Sequence, residues 1–166
     1  MDATRRPIIV GFAVAAAIIG GAYAAKRLVE GGAHEASPSA QILNLLNQRR
    51  ARYHLVPLKR DLVLASLARG HNRDERSKGF FAHDDPQGQT FFERLAYLHR
   101  SLIGEVIAYG SGGFGTPKGL VSLWMASPEH RRIILTPGMR RIGISVITGP
   151  FLGQSGISLA TADLSS

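Results

Sequence analysis

Three residues in the chain have types that can hold a metal ion or move a proton: His83, Glu105 and His130. His83 leads into an Asp-rich turn, His83-Asp84-Asp85-Pro86. Glu105 interrupts an apolar extended run, Gly104-Glu105-Val106-Ile107-Ala108, where an acid must reach solvent or find a partner. His130 falls in the first turn of a helix opened by Ser127-Pro128. A helix N-terminus disfavours imidazolium, so a neutral ring is expected there, able to ligate a metal or accept a proton. Two imidazoles and one carboxylate could form a facial set for Zn²⁺ or another divalent ion. The three are spread over 48 positions, and spacing alone does not gather them.

Other candidate chemistry is weaker. His34 lies in a linker, and His54 and His99 close helices as C-terminal cations. His71 sits on the apolar face of a helix and reads as a packed core residue. Gly110-Ser111-Gly112-Gly113-Phe114-Gly115 matches G-x-G-x-x-G. A dinucleotide site also needs a parallel sheet, and only 51 residues follow, ending in a hairpin. The stretch reads as a flexible surface loop. Gly153-Gln154-Ser155-Gly156 is a turn, and no serine triad is readable. Cysteine is absent, which excludes disulfides, thiolate metal sites and a cysteine nucleophile.

The elements that must position these residues fit a chain of 166 residues, 45% hydrophobic and 19% charged: one globular domain with an appendage. Ser37 and Pro38 open an amphipathic helix to about Tyr53, and Asp61 caps a second that Gly79 ends. Thr90 and Glu93 form a capping box for a helix through about His99. Thr116-Pro117 opens another helix, carrying Leu120, Val121, Leu123 and Trp124. The Ser127-Pro128 helix follows, ended by Pro137-Gly138. Ile142 to Val146 and Ile157 to Thr161 alternate as strands about a turn over 150–156. Helices come first and strands mostly last, an α+β order.

Residues 1–27 stand apart. Pro7 to Ala25 holds no charge, and nineteen residues rise roughly 28 Å as a helix, near the hydrocarbon thickness of a bilayer. Ala22-Tyr23-Ala24 suits signal-peptide cleavage, whereas Lys26 and Arg27 just beyond suit an uncleaved transmembrane anchor. Residues 28–36 form a Gly/Ala/Ser linker, leaving 37–166 as the domain with 16 basic and nine acidic side chains, net +7. That balance favours anionic surfaces such as lipid head groups or envelope polymers. The charges form no stripe interleaved with aromatics, so nucleic acid is not an expected partner.

Read in order, LNLLNQRRARYHLVPLKRDLVLASLARGH (43–71), GFFAHDDPQGQTFFERL (79–95), GEVIA (104–108), LWMASPEHRRIIL (123–135) and RRIGISV (140–146) resemble the CAP superfamily. This is the SCP-type domain of cysteine-rich secretory, antigen 5 and pathogenesis-related proteins, here in a short cysteine-free bacterial form. The resemblance implies an α-β-α sandwich with a central antiparallel sheet, and a cleft holding two His and two Glu. His83, Glu105 and His130 take three of those places. The second Glu falls on Ser127, and the family's G-E-N and S-P-G-H read Gly104-Glu105-Val106 and Ser127-Pro128-Glu129-His130. Glu129 could stand in for the missing acid or serve the helix dipole.

Two functional readings follow. One is a non-enzymatic extracytoplasmic binding module, secreted, periplasmic or anchored to the outer face of the cytoplasmic membrane. Its cleft would hold Zn²⁺ or another divalent cation, with a lipid-like or anionic envelope ligand in or near it. Phe80, Phe81 and Trp124 belong to the core in this reading. The other is a metal-dependent, peptidase-like hydrolase at the envelope, with Glu105 as base.

Overall fold

The structure is a computed structural model that describes residues 14–15 and 36–166. The Ser37 hydroxyl accepts the Ala40 N–H at 3.3 Å to cap α1 (Pro38–Ala51). Asp61 accepts from the N–H groups of Val63 and Leu64 to open α2 (Leu62–Lys78), and Gly79 ends it in the left-handed conformation, φ 69°. The capping box of Thr90 and Glu93 is formed. It starts a shorter helix than expected, because α3 (Phe91–Leu95) tightens into a 3₁₀ turn at Ala96–Leu98, closed by His99 at φ 48°. Ser127 joins α4 (Pro117–Ala126) to α5 (Pro128–Ile134), ending one and capping the other.

The strands are β1 (Val14–Ala15), β2 (Lys59–Arg60), β3 (Ile103–Gly110), β4 (Arg141–Phe151) and β5 (Gln154–Ser165), in sheet order β1-β3-β5-β4-β2. The three long strands are antiparallel, as expected, while the two short edge strands pair parallel to their neighbours. The hairpin is longer than the apolar alternation indicated. β5 runs on to Ser165 because Thr161 and Asp163 find polar company on one face while Ala162 and Leu164 enter the core on the other.

One expectation falls largely outside the described residues, and one is corrected. Most of residues 7–25 lies outside the described residues, but Val14–Ala15 within it is extended and pairs with Ala108–Tyr109 of β3. An edge strand offers unpaired backbone groups that such a segment satisfies. Among the described residues no helix is long and apolar enough to cross a membrane. The glycine loop is no loose segment either: Gly112–Gly115 is a 3₁₀ turn packed on α4, where a Cβ on Gly119 would lie 2.2 Å from the Gly113 carbonyl. β3 precedes it and α4 follows, but β3's long neighbour is antiparallel, so no dinucleotide-binding unit exists.

Side chains alternate between two layers. Val106, Ala108, Ile142, Ala160, Ala162 and Leu164 meet Ile42 and Leu46 of α1 and Leu120, Val121 and Trp124 of α4 in the main core. The opposite face carries Glu105, Ser145, Thr161 and Asp163 toward α2, where buried Asn72 binds Ser145, Leu159 and Thr161. Phe81 stacks edge-on against Tyr109 at 4.8 Å.

α2 reaches this face by lying directly on Gly143. A Cβ there would sit 1.9 Å from the Ala65 nitrogen and 2.1 Å from the Leu64 carbonyl carbon, both backbone atoms that cannot yield singly. Gly143→Ala is expected to cost about 3 kcal/mol or more, lowering the melting temperature by roughly 10 °C. A melting curve within a degree or two of wild type would refute that close approach.

Candidate functional site

Glu105 projects from β3 into the α2 layer and is 1% exposed. His83, in the segment joining α2 to α3, places Nδ1 2.8 Å from Glu105 Oε1. Arg94 of α3 donates from one guanidinium nitrogen to Glu105 Oε2 at 2.7 Å and from the other to the His83 carbonyl at 2.7 Å. Phe91 and Leu95, buried on the inner face of α3, hold that helix so that Arg94 reaches inward. His130 enters from α5 in the opposite layer and is buried, its ring centre 6.0 Å from that of His83.

The first consequence concerns tautomers. A carboxylate only accepts, so Nδ1 of His83 donates, and in the neutral ring the lone pair belongs to Nε2. Nε2 is buried and has no hydrogen-bond partner among the described residues. Glu105 thus orients the His83 ring, an arrangement that carboxylates also adopt behind metal-bound histidines. Each of the Glu105 oxygens accepts one hydrogen bond, from His83 and from Arg94. Among the described residues, no group of three or more His, Cys, Asp or Glu is arranged around one ion. Two rings sharing an ion at Zn–N distances of about 2.0–2.1 Å have centres roughly 5–6 Å apart, close to the spacing observed.

The accessory candidates do other work. The Ser127 hydroxyl accepts the His130 N–H at 3.4 Å and so fixes the turn that carries His130. Glu129 is partly buried in that first turn, where its charge suits the helix dipole. His71 is a core residue as expected: its Nε2 donates to the Ala82 carbonyl at 2.9 Å, which ties α2 to the His83 segment.

Three participants escaped sequence reasoning: Arg94, Asp163 and Glu75. Asp163 of β5 lies opposite Glu105 in the ladder and is buried. Burial, then the charge and hydrogen bond of Glu105, hold its carboxyl well above the usual carboxylate range. Glu105 goes the other way. Burial alone would raise it, but the His83 hydrogen bond and the charges of His71, Arg94 and His83 leave it below its ordinary value. Glu75, one helical turn from His71 and fully buried, is pushed up to about 9 by burial and then by Glu105. Glu105, held low, is therefore paired with Arg94, whereas burial disfavours the charged forms of Glu75 and Asp163.

Glu75 makes stability depend on pH. Its native pKa exceeds its unfolded one, so the native state holds a proton that the unfolded state has released across roughly pH 4.5 to 9. Stability falls as pH rises through that window, by at most about 1.4 kcal/mol per unit. In Glu75→Gln the urea midpoint should drop less between pH 5.5 and 8 than in wild type, because Asp163 contributes equally to both proteins. Parallel profiles would show that Glu75 is ionised when folded.

The model of the cysteine-rich secretory protein family (CAP) matches residues 43–155, which takes in His83, Glu105 and His130 and the strands β2 to β4. The chain belongs to the CAP family. An uncharacterized protein of Bacillus subtilis, YkwD, is 32% identical over 122 residues, 69% of this chain and 46% of its own length. This CAP chain therefore spans less than half of that curated relative. An extracellular protein with an SCP domain from Bacillus anthracis superposes with a TM-score of 0.60 at 28% identity, covering 75% of this chain and 39% of the other. An outer surface protein of Borrelia burgdorferi shares the fold at TM-score 0.62 and 17% identity, over 75% of this chain and 90% of its own. A cysteine-rich secretory protein of Staphylococcus aureus does so at 0.58 and 20%, over 78% of this chain and 38% of its own. The CAP fold here is built without cysteine, on an apolar core, hydrogen bonds and the buried Arg94–Glu105 pair.

Proposed function

We propose that this CAP chain is a non-enzymatic extracytoplasmic binding module whose cleft holds a divalent cation between His83 and His130. The observation that carries it is His83 Nε2, buried and without a hydrogen-bond partner among the described residues, on a ring oriented by Glu105 and set beside His130. A buried polar atom left unpaired is costly, and a metal ion relieves that cost. Arg94 neutralises Glu105, so the site is weaker for Zn²⁺ than a three-ligand centre. The ion would supply Lewis acidity toward an oxygen-bearing ligand.

Placement outside the cytoplasm rests on the apolar segment Pro7 to Ala25 and on the kind of protein the relatives are, extracellular and surface proteins. Whether residues 1–27 are a cleaved signal or an anchor is open to a simple mass measurement on the exported chain. The hydrolase reading needs Glu105 as a base. Its carboxylate already accepts from His83 and Arg94 and lies below its ordinary pKa, which makes it a weak base.

Zn²⁺ titrated by calorimetry into the full-length chain should bind at one site per chain. Binding should weaken at least about tenfold in His83→Ala and again in His83→Ala/His130→Ala. Equal binding by wild type and double variant would overturn the proposal. Turnover of peptide substrates that requires both histidines would replace it with the hydrolase.

A further inference from the structure

A second cleft, of about 360 Å³, lies between α1 and α4, on the outer side of the helical layer that carries His130 inward. It is lined by Arg49 and Arg52 from α1 and its C-cap, Arg131 from α5, Tyr53, and the apolar Met125 and Ala126 of α4. We propose that it is a binding site for a phosphate-bearing ligand, a phosphomonoester or phosphodiester with a short alcohol or sugar attached. The proposal deepens the anionic-envelope part of the reading above and uses none of its metal chemistry.

Three features argue for it. No acid lines the cleft, and among the described residues none of the three guanidiniums pairs with a carboxylate. Surfaces without a polyanionic ligand usually intersperse charge signs, because like charges sharing one cleft repel. Second, Arg131 is held in place: its guanidinium donates to the Tyr53 hydroxyl and stands over the ring, Cζ 5.7 Å from the centroid. Such a planar fork matches phosphate oxygens pairwise. Third, the Ser122 hydroxyl at the rim donates back to the Lys118 carbonyl at 2.8 Å, so the guanidiniums are the available donors. Three forks offer more N–H groups than one carboxylate can accept, which favours phosphate. The volume exceeds a bare phosphate, and Met125 and Ala126 give its carbon substituent an apolar seat.

The test is calorimetry of inorganic pyrophosphate and of glycerol 3-phosphate with the full-length chain, against Arg49→Gln/Arg131→Gln and Arg49→Lys/Arg131→Lys. These side chains lie on the surface or partly so, and the fold should survive both changes. Wild type should bind at one site. The Gln pair should bind at least about tenfold more weakly, and the Lys pair should recover only part of the loss. Zn²⁺ binding by the Gln pair should be unchanged, so the two sites fail or stand separately. A second arm uses vesicles with and without phosphatidylglycerol. Greater loss of retention on them than of glycerol phosphate binding in the Gln pair assigns the phosphate to lipid, and the reverse assigns it to a soluble or polymer-borne ester. Equal pyrophosphate binding by wild type and the Gln pair overturns the proposal, as does full recovery with lysine, which would mean diffuse attraction only.

Discussion

Replacing Arg50 by Met should leave the chain without a cooperative fold at 25 °C, or cost it upwards of about 4 kcal/mol out of a typical 5–15. Arg50 is 0% exposed, although it stands in a run of arginines on an amphipathic helix. Its guanidinium donates to the carbonyls of Val56 at 3.0 Å, Ile134 at 2.6 Å, Thr136 at 3.2 Å and Met139 at 3.1 Å. Ile134 closes α5, so the cation also meets the negative end of the helix that positions His130. Burial and the nearby Arg140 lower its pKa, the mark of a charge kept in an unfavourable medium by its hydrogen bonds. Met would fill the volume but leave those carbonyls buried and unpaired. Lys, with one ammonium, would reach only some of them and fall between. Urea unfolding followed by circular dichroism measures this, and a loss under about 1 kcal/mol would show that water replaces the guanidinium without penalty.

The second large effect is expected at Arg94→Met, and it should move two readouts in opposite directions. Removing the guanidinium strands the Glu105 carboxylate, 1% exposed, with His83 as its remaining ion-pair partner, and orphans the His83 carbonyl. Breaking a buried pair from one side typically costs about 3–5 kcal/mol. The same change frees Glu105 Oε2 and restores a net negative charge beside His83 and His130, so Zn²⁺ affinity should rise, by about tenfold or more. Saturating Zn²⁺ should then raise the melting temperature of Arg94→Met more than that of wild type. A variant that is destabilised with unchanged or weaker Zn²⁺ binding would mean that Arg94 only supports the fold.

Much of the frame was legible in the sequence because it is local. Ser37, Asp61, Thr90 with Glu93, and Ser127 each fix a helix start within four residues, and the alternation from Ile142 onward marks the first hairpin strand. Residue type and placement singled out His83, Glu105 and His130, and the family resemblance gathered them. What stayed hidden depends on distant chain. Nothing distinguishes Arg50 from Arg49 until carbonyls 84 to 89 positions away arrive around it. Asp163 meets Glu105 only through the β3–β5 register, and Arg94 turns inward only once Phe91 and Leu95 dock. Residue type likewise offered Glu105 as a ligand or a base, whereas its hydrogen bonds to His83 and Arg94 appear only in the folded chain.

The most direct measurement is X-ray absorption at the zinc edge of the Zn²⁺-loaded full-length chain, wild type beside His83→Ala and Glu105→Gln. The account predicts two imidazole nitrogens at about 2.0–2.1 Å with oxygen completing the shell. One imidazole should remain in His83→Ala, and the same two-imidazole shell should appear in Glu105→Gln at an affinity reduced about 10–100-fold. A shell that keeps both imidazoles in His83→Ala, or loses an oxygen ligand in Glu105→Gln, would contradict it.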